Sequence, residues 1–142
     1  MLVHVLLTEQ QDFSDRFLKQ FISDYKLGTG RTRYIKAELP KLPFEDRSFD
    51  LVLSGHFLFT YAHKFEFRFI LSSIKELFRV CSKEVRIYPL QKSSFKPYER
   101  MPDLLYILKN QSGIACDIVP VRFEFQKGSN KMLCLRPNTP GQ

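Results

Sequence analysis

The segment FDLVLS, residues 49–54, constrains the fold of this chain more than any other stretch. Its apolar residues fall on both faces of an extended chain, which is typical of a strand in a parallel sheet covered by helices on both sides. A charged turn, EDRS at 45–48, precedes the segment, and a small polar exit, Ser54-Gly55-His56, follows it. The segment therefore predicts an α/β fold with polar groups at the carboxyl end of a buried strand.

The flanking segments predict helices and strands in an order that suits such a fold. Helices are expected at residues 9–27, at about 67–78, and from near Pro102 to about 110. Thr8 is expected to form a capping box at the start of the first helix, and Gly28 to end it. Strands are expected at residues 34–38, 84–90, 119–125 and 131–136. A turn at 127–130 joins the last two strands. The prediction is a mostly parallel sheet that ends in an antiparallel hairpin.

The size and cysteine content of the chain limit its organisation. With 142 residues, 44% of them hydrophobic, it is long enough for one domain with its own core. We divide it into an N-terminal strand and helix at 1–30, a sheet core at 31–137 and a tail at 138–142. Three cysteines without CxxC spacing indicate neither a disulfide framework nor a zinc site. The apolar residues 2–7 are too few to span a membrane, and free thiols suit a cytoplasmic protein. His4 and His63 have no partner cluster, so we expect no metal.

The charge leaves more than one class of partner open. The formal net charge is +7, which favours polyanions or acidic surfaces by long-range attraction. Lysine and arginine are scattered, with no run of five or more, so a solvated basic surface is the simpler interpretation. A basic nucleic-acid-binding protein remains an alternative, with phosphate contacts from basic residues near Gly30 and from residues 92–100.

Polar residues follow two of the predicted strands at the edge where ligands bind in open parallel sheets. Glu38 and Leu39 leave the strand at 34–38. Ser54, Gly55 and His56 leave the strand at 49–54, where the glycine permits close approach of a backbone and the other two offer hydrogen bonds. Together these residues predict a small-molecule site.

The same segments resemble a known family. A strand ending in an acidic residue, then LPF at 42–44, an acidic turn, SFD at 48–50, an apolar strand and a small polar exit resemble the middle of a class I S-adenosylmethionine-dependent methyltransferase. KELFRV at 75–80, EVRIYPL at 84–90, a helix and the terminal hairpin continue the resemblance to about residue 136. It implies a Rossmann-like sheet and S-adenosylmethionine as the cofactor, and it leaves the methyl acceptor open.

The resemblance implies roles for individual residues. Glu38 would accept a hydrogen bond from the adenine amino group, and Leu39 would offer its backbone N–H to a ring nitrogen. Ser54, Gly55 and His56 would line the methionine portion of the cofactor. Tyr61 would border the substrate pocket, or else join the aromatic core, which is the more common role of such a residue.

Plainer interpretations stand beside these roles. Glu38 is also compatible with an ordinary exposed carboxylate, and a lone histidine such as His56 more often caps or packs than acts as a base. Asp50, at the other end of its strand, is expected to cap the preceding turn.

Two features of the family are missing from the sequence. The glycine-rich loop between the family's first strand and first helix has no counterpart, because Gly28-Thr29-Gly30 follows a helix and precedes a strand. An acidic residue for the ribose hydroxyls is also absent. We therefore expect a truncated, partial methyltransferase-like domain with an impaired cofactor site, or else a non-catalytic remnant or binding module of the same fold.

The glycine-rich loop belongs to the N-terminal part of the family's fold. If that part is missing, the strand FDLVLS at 49–54 lacks a neighbour and has an unpaired edge. Residues 2–7, a shifted third strand or a second chain are three ways to cover it, and the sequence does not choose among them. Self-association through this edge is one expected consequence.

Overall fold

The computed structural model describes residues 11–27 and 34–138, and Thr8, residues 2–7 and Gly28–Gly30 lie outside these ranges. The helices are α1 Gln11–Lys26, α2 Phe67–Arg79 and α3 Met101–Tyr106, with a 3₁₀ turn at Ala62–Lys64 and a π-helical turn at Ile107–Gln111. The strands are β1 Phe49–Gly55, β2 Cys81–Tyr88, β3 Ile114–Pro120 and β4 Lys131–Pro137. All three predicted helices are confirmed.

The four described strands form one sheet in the order β1-β2-β4-β3. β1 pairs with β2 in parallel, whereas β4 is antiparallel to both β2 and β3. The Rossmann-like α/β class and the terminal antiparallel hairpin are confirmed. The described sheet is mixed, however, and not mostly parallel, because β4 enters between β2 and β3 in the reverse direction.

Two predicted strands differ from the structure. Residues 34–38 form no strand, and Glu38 makes only an isolated bridge with Lys41. A strand needs a neighbour for its backbone N–H and C=O groups, and no described strand lies beside this segment. The strand predicted at 119–125 is wrong in position, because β3 ends at Pro120 and residues 121–130 form a loop back to β4. Apolar and polar residues alternate in that loop, and this alternation led to the wrong strand prediction.

One face of the sheet builds the core. Val85 and Ile87 of β2 and Leu133 and Leu135 of β4 are fully buried. They belong to one apolar cluster with α2, α3 and the loops, which includes Ile70, Ile74, Leu77, Leu104, Leu108 and Phe59. The burial of β1 is lower than its apolar sequence predicted, since Phe49 and Leu51 are exposed. In the described part of the chain β1 is an edge strand, and it therefore lacks a neighbour that would cover it.

The charged turn before β1 is held by the end of α2. Glu76 accepts hydrogen bonds from the backbone N–H of Leu42 at 2.7 Å and from the Arg79 guanidinium at 2.7 and 2.9 Å. Arg79 also reaches Asp46 at 2.6 Å. Arg79 holds the pKa of Glu76 below its usual range. This network fixes where the chain enters β1.

Asp50 does not cap the turn as predicted. Its carboxylate instead crosses to β2, where it accepts hydrogen bonds from the Ser82 hydroxyl at 2.8 Å and the Lys83 ammonium at 2.6 Å. Both charged side chains are exposed, and exposed ion pairs contribute little stability. The residue lies at the amino end of β1, away from the carboxyl edge, as the sequence indicated.

We expect Glu76→Ala to lower the free energy of unfolding by about 1–3 kcal/mol, because it leaves the Leu42 amide and the Arg79 guanidinium without their acceptor. Urea denaturation of the variant and the parent chain measures this difference. Glu45→Ala is the matched control: Glu45 lies exposed in the same turn, and its loss should change the value by less than about 0.5 kcal/mol. Equal effects of the two substitutions would contradict this role of Glu76.

The outer edge of β1 is unpaired in the described part of the chain, and residues 2–7, one way to cover it, lie outside that part. Self-association through it stays a prediction: light scattering should show species larger than a monomer whose population rises with concentration. Leu51→Lys places a charge on this edge and should shift the population towards the monomer. A soluble monomer across a wide concentration range would count against the prediction.

Candidate functional site

Three loops meet at the carboxyl edge of the sheet. The first edge loop, residues 56–66, follows β1, and the second edge loop, residues 89–100, follows β2. Because β1 and β2 are parallel, both loops leave the sheet on the same side. β3 runs in the same direction as β2, so the third edge loop, residues 121–130, lies at this edge as well. The topology thus brings together segments far apart in sequence.

The predicted polar exit, residues 54–56, lies at the β1 end of this edge. Ser54 is buried, and Gly55 is exposed where β1 pairs with Tyr88 at the end of β2. The backbone N–H of His56 donates to the carbonyl of Tyr88 at 2.8 Å and continues the pairing by one residue. His56 has a φ of 51°, which turns the chain sharply out of the sheet. A non-glycine residue in this left-handed region is uncommon and is over-represented at functional sites.

The His56 side chain packs between two aromatic rings. Its imidazole lies edge-on to Phe125 with ring centroids 4.6 Å apart and to Tyr88 at 5.7 Å. Burial lowers the pKa of His56 below its ordinary value near 6.5, because the imidazolium form loses hydration. These contacts support the interpretation that His56 packs against its neighbouring rings.

Tyr88 and Gln91 fasten the third edge loop to the end of β2. The Tyr88 hydroxyl donates to the carbonyl of Ser129 at 2.7 Å and accepts from the backbone N–H of Phe125 at 3.1 Å. The Gln91 amide donates to the carbonyl of Gly128 at 2.8 Å and accepts from the Ser129 hydroxyl at 2.9 Å. These bonds fix Phe125 over His56.

Glu38 and Leu39 lie on a separate turn. The backbone N–H of Lys41 donates to the carbonyl of Glu38 at 3.2 Å and closes the turn. Leu39 is buried, whereas the Glu38 carboxylate is exposed and makes no hydrogen bond or ion pair with another described residue. No hydrogen bond within residues 34–138 joins this turn to residues 54–56.

Tyr61 lies on the first edge loop with its ring exposed, so the aromatic-core interpretation is wrong for this residue. The Lys64 ammonium lies 5.5 Å from the centre of its ring. Phe59, two positions earlier, is the ring that fills the core.

Sequence patterns alone did not identify the residues that hydrogen-bond the edge loops to one another. Tyr88 falls within the strand expected at 84–90 and Gln91 has no predicted role, because their partner loop is about 40 residues away. A cleft of about 250 Å³ beside them is lined by Leu90, Tyr98, Met101, Ile118 and Ser129 among others. None of the predicted site residues lines this cleft.

Within the described ranges no group of His, Cys, Asp or Glu side chains is placed to hold a metal ion. No described helix is long and apolar enough to cross a membrane. The three cysteines are buried and unpaired.

We expect the folding stability to fall as the pH drops below the ordinary histidine pKa near 6.5, because the unfolded chain protonates His56 before the folded chain does. Above the ordinary pKa near 6.5 this contribution is fully present, and it is lost towards the lower folded pKa. An NMR titration of the His56 ring protons measures the pKa directly. Phe125→Ala removes one covering ring and should move the pKa back towards 6.5. An unchanged pKa in that variant would contradict burial as the cause.

Comparison with known proteins defines the class of this protein. Residues 8–88 match the family model of the methyltransferase domain, which covers more than half of the chain. The chain therefore belongs to the methyltransferase domain family, and the resemblance to methyltransferases drawn from the sequence is confirmed.

Two similar proteins extend this comparison. The chain is 39% identical over 127 residues to the uncharacterized protein MJ0045 of Methanocaldococcus jannaschii, covering 86% of this chain and 51% of the relative. It thus spans about half the length of that relative. A crystal structure of a SAM-dependent methyltransferase from Aquifex aeolicus superposes with a TM-score of 0.48 at 21% identity, over 82% of this chain and 60% of that one.

Proposed function

We propose that this chain takes part in methyl transfer from S-adenosylmethionine and supplies the wall of the cofactor site at the carboxyl end of β1. The observation that carries the proposal is the family match over residues 8–88, which includes both predicted site segments. Ser54 and Gly55 lie where β1 meets the carboxyl edge, the position at which open α/β sheets bind ligands.

The chemistry of these residues suits the cofactor. The Glu38 carboxylate is exposed and engages no other described side chain, so it is free to accept a hydrogen bond from an adenine amino group. Gly55 is exposed and has no side chain to obstruct the backbone, whereas its neighbour Ser54 is buried. Leu39 contributes a backbone N–H from the same turn as Glu38.

S-adenosylmethionine, when bound, supplies a methyl group on a positively charged sulfur for in-line displacement by a nucleophile. The protein's task is chiefly alignment, which contributes about 7–11 kcal/mol in well-oriented reactions. In this proposal the residues named here bind the cofactor and orient its methyl group. His56, whose pKa is lowered, is neutral at pH 7 and adds no positive charge beside a cationic sulfur.

Calorimetric titration of residues 1–142 with S-adenosylhomocysteine tests the proposal. The sequence holds no strand, glycine-rich loop and helix in the family's order, and such a loop supplies many of the backbone donors. We therefore expect weak binding, with a Kd in the high micromolar range or above, about −5 kcal/mol. Low micromolar binding would show that another segment of this chain provides those donors. No binding by this chain or by a form that carries such a loop would leave only a non-catalytic module of the same fold.

Glu38→Ala tests the residue assignment. We expect it to weaken cofactor binding by about 1–3 kcal/mol through loss of a charged hydrogen bond, with almost no change in melting temperature. Glu45→Ala, another exposed carboxylate close in sequence, is the matched control and should bind like the parent chain. Equal losses in the two variants would refute the role of Glu38.

The three unpaired cysteines support a reducing compartment, and we propose a cytoplasmic location on that ground. Fractionation of cells that express the chain with a terminal tag checks this location.

A further inference from the structure

Four of the eight exposed aromatic residues in the described part of the chain lie on the three edge loops. Phe95 of the second loop is 59% exposed, and Phe123 and Phe125 of the third loop are 45% and 47% exposed. Tyr61 of the first loop is 41% exposed. A packed core does not account for these rings, because each leaves nearly half or more of its surface in water.

Phe95 is held outward by an unusual backbone. Its φ is 63°, a conformation that a bulky residue rarely adopts, and it lies in a short turn closed by its N–H donating to the carbonyl of Lys92 at 2.9 Å. Lys92 and Lys96 close the base of that turn with a further hydrogen bond of 2.9 Å. Strain of this kind persists where the surroundings impose it, and it is found most often at functional sites.

Positive charge is interleaved with these rings. The three edge loops hold six lysines and arginines against three glutamates, a formal net charge of +3. Lys96, Arg122 and Lys127 are exposed and form no ion pair with another described residue. Lys96 follows Phe95 directly, and Arg122 precedes Phe123. Each of these two loops thus has an exposed cation directly beside an exposed ring, and in the third loop Glu124 separates Phe123 from Phe125.

The loops are fixed relative to one another. The backbone N–H of Ser93 in the second loop donates to the carbonyl of Thr60 in the first at 2.9 Å. Gln91 and Tyr88 bind the third loop through the hydrogen bonds described above. The rings and cations thus belong to one preorganised surface, which lowers the entropy lost when a ligand binds.

We propose that this carboxyl edge binds single-stranded nucleic acid, with bases stacked on the exposed rings and phosphates on the free cations. Stacking platforms joined to a basic groove are how proteins bind single strands without reading sequence. A duplex would keep its bases stacked on each other and leave the rings unused. An acidic protein would also satisfy the cations, and competition by polyglutamate distinguishes it from a single strand.

If the proposed transferase function holds, the surface also identifies the methyl acceptor, and this step rests on that function. A nitrogen of a stacked base would use its lone pair to bond the methyl carbon while the carbon–sulfur electrons return to sulfur. S-adenosylhomocysteine would leave as the thioether, and a proton on the nitrogen would pass to water. Nucleic-acid binding itself does not depend on this step.

Fluorescence anisotropy tests the binding, using residues 1–142 and labelled oligomers of about 12 nucleotides. Mixed-sequence RNA, DNA and duplex DNA are titrated without cofactor at several salt concentrations. We expect both single strands to bind more tightly than the duplex, and the difference between RNA and DNA shows which is preferred. Phe95→Ala should weaken binding by at least about fivefold. Tyr106→Ala, which removes an exposed ring from α3, is its control and should bind like the parent chain.

The role of the three cations is tested with two triple variants that lose the same charge. Replacing Lys96, Arg122 and Lys127 by alanine should reduce the slope of log K against log salt by about 2 units, since each phosphate contact on a single strand contributes about 0.7. Replacing Lys75, Lys83 and Lys109 removes the same charge away from the edge loops and should leave the slope nearly unchanged. Circular dichroism melts confirm that every variant is folded.

Three results would overturn the proposal. The first is no anisotropy change at about 50 mM salt with folded protein. The second is an equal loss of binding in the edge and control variants, which would indicate a diffuse basic surface. The third is competition by polyglutamate as strong as that by unlabelled oligomer with no effect of Phe95→Ala, which would indicate an acidic protein partner. Single-strand binding, with no S-adenosylhomocysteine binding by this chain or by a form that carries the glycine-rich loop, would keep this inference and refute the proposed transferase function.

Discussion

The parallel pairing of β1 with β2 is the constraint on which the rest of the structure depends. Its register places Gly55 opposite Tyr88, and the N–H of His56 extends it by one bond. Because the two strands run in the same direction, their loops leave at one edge, and the hairpin of β3 and β4 returns a third loop to that edge. Without this pairing the polar exit of β1 and the other edge loops would not meet at one edge of the sheet.

The two ends of this strand pair have different tasks. At the amino end, Glu76 and Arg79 of α2 hold the turn that leads into β1 through charged hydrogen bonds. At the carboxyl end, Tyr88 and Gln91 hold a loop that presents side chains to water. Substitutions at the amino end should therefore act mainly on the free energy of unfolding. Substitutions of exposed side chains at the carboxyl end should act mainly on the proposed binding of ligands. The separation allows the fold and the site to be tested independently.

The sequence predicted most of the helices and strands because their patterns are local. The apolar face of α2 and the run FDLVLS were recognisable from spacing alone. The strand expected at 34–38 was wrong because a strand forms only beside a partner, and the alternation at 119–125 was wrong because it belongs to a loop that covers His56. The residues proposed to contact the cofactor came from resemblance to a family, and that family is confirmed while their roles stay predictions.

The sequence by itself determined the α/β class, the family and the polar exit of β1, since hydrophobic periodicity and short segments such as LPF and SFD carry this information. Only the tertiary structure decided that Tyr88 binds a loop about 40 residues away, that Phe95 adopts a positive φ, and that four rings and three free cations share one edge. These features arise from contacts between distant segments. Such contacts leave no periodic signal along the chain, because each partner satisfies the other only after the sheet has brought them together.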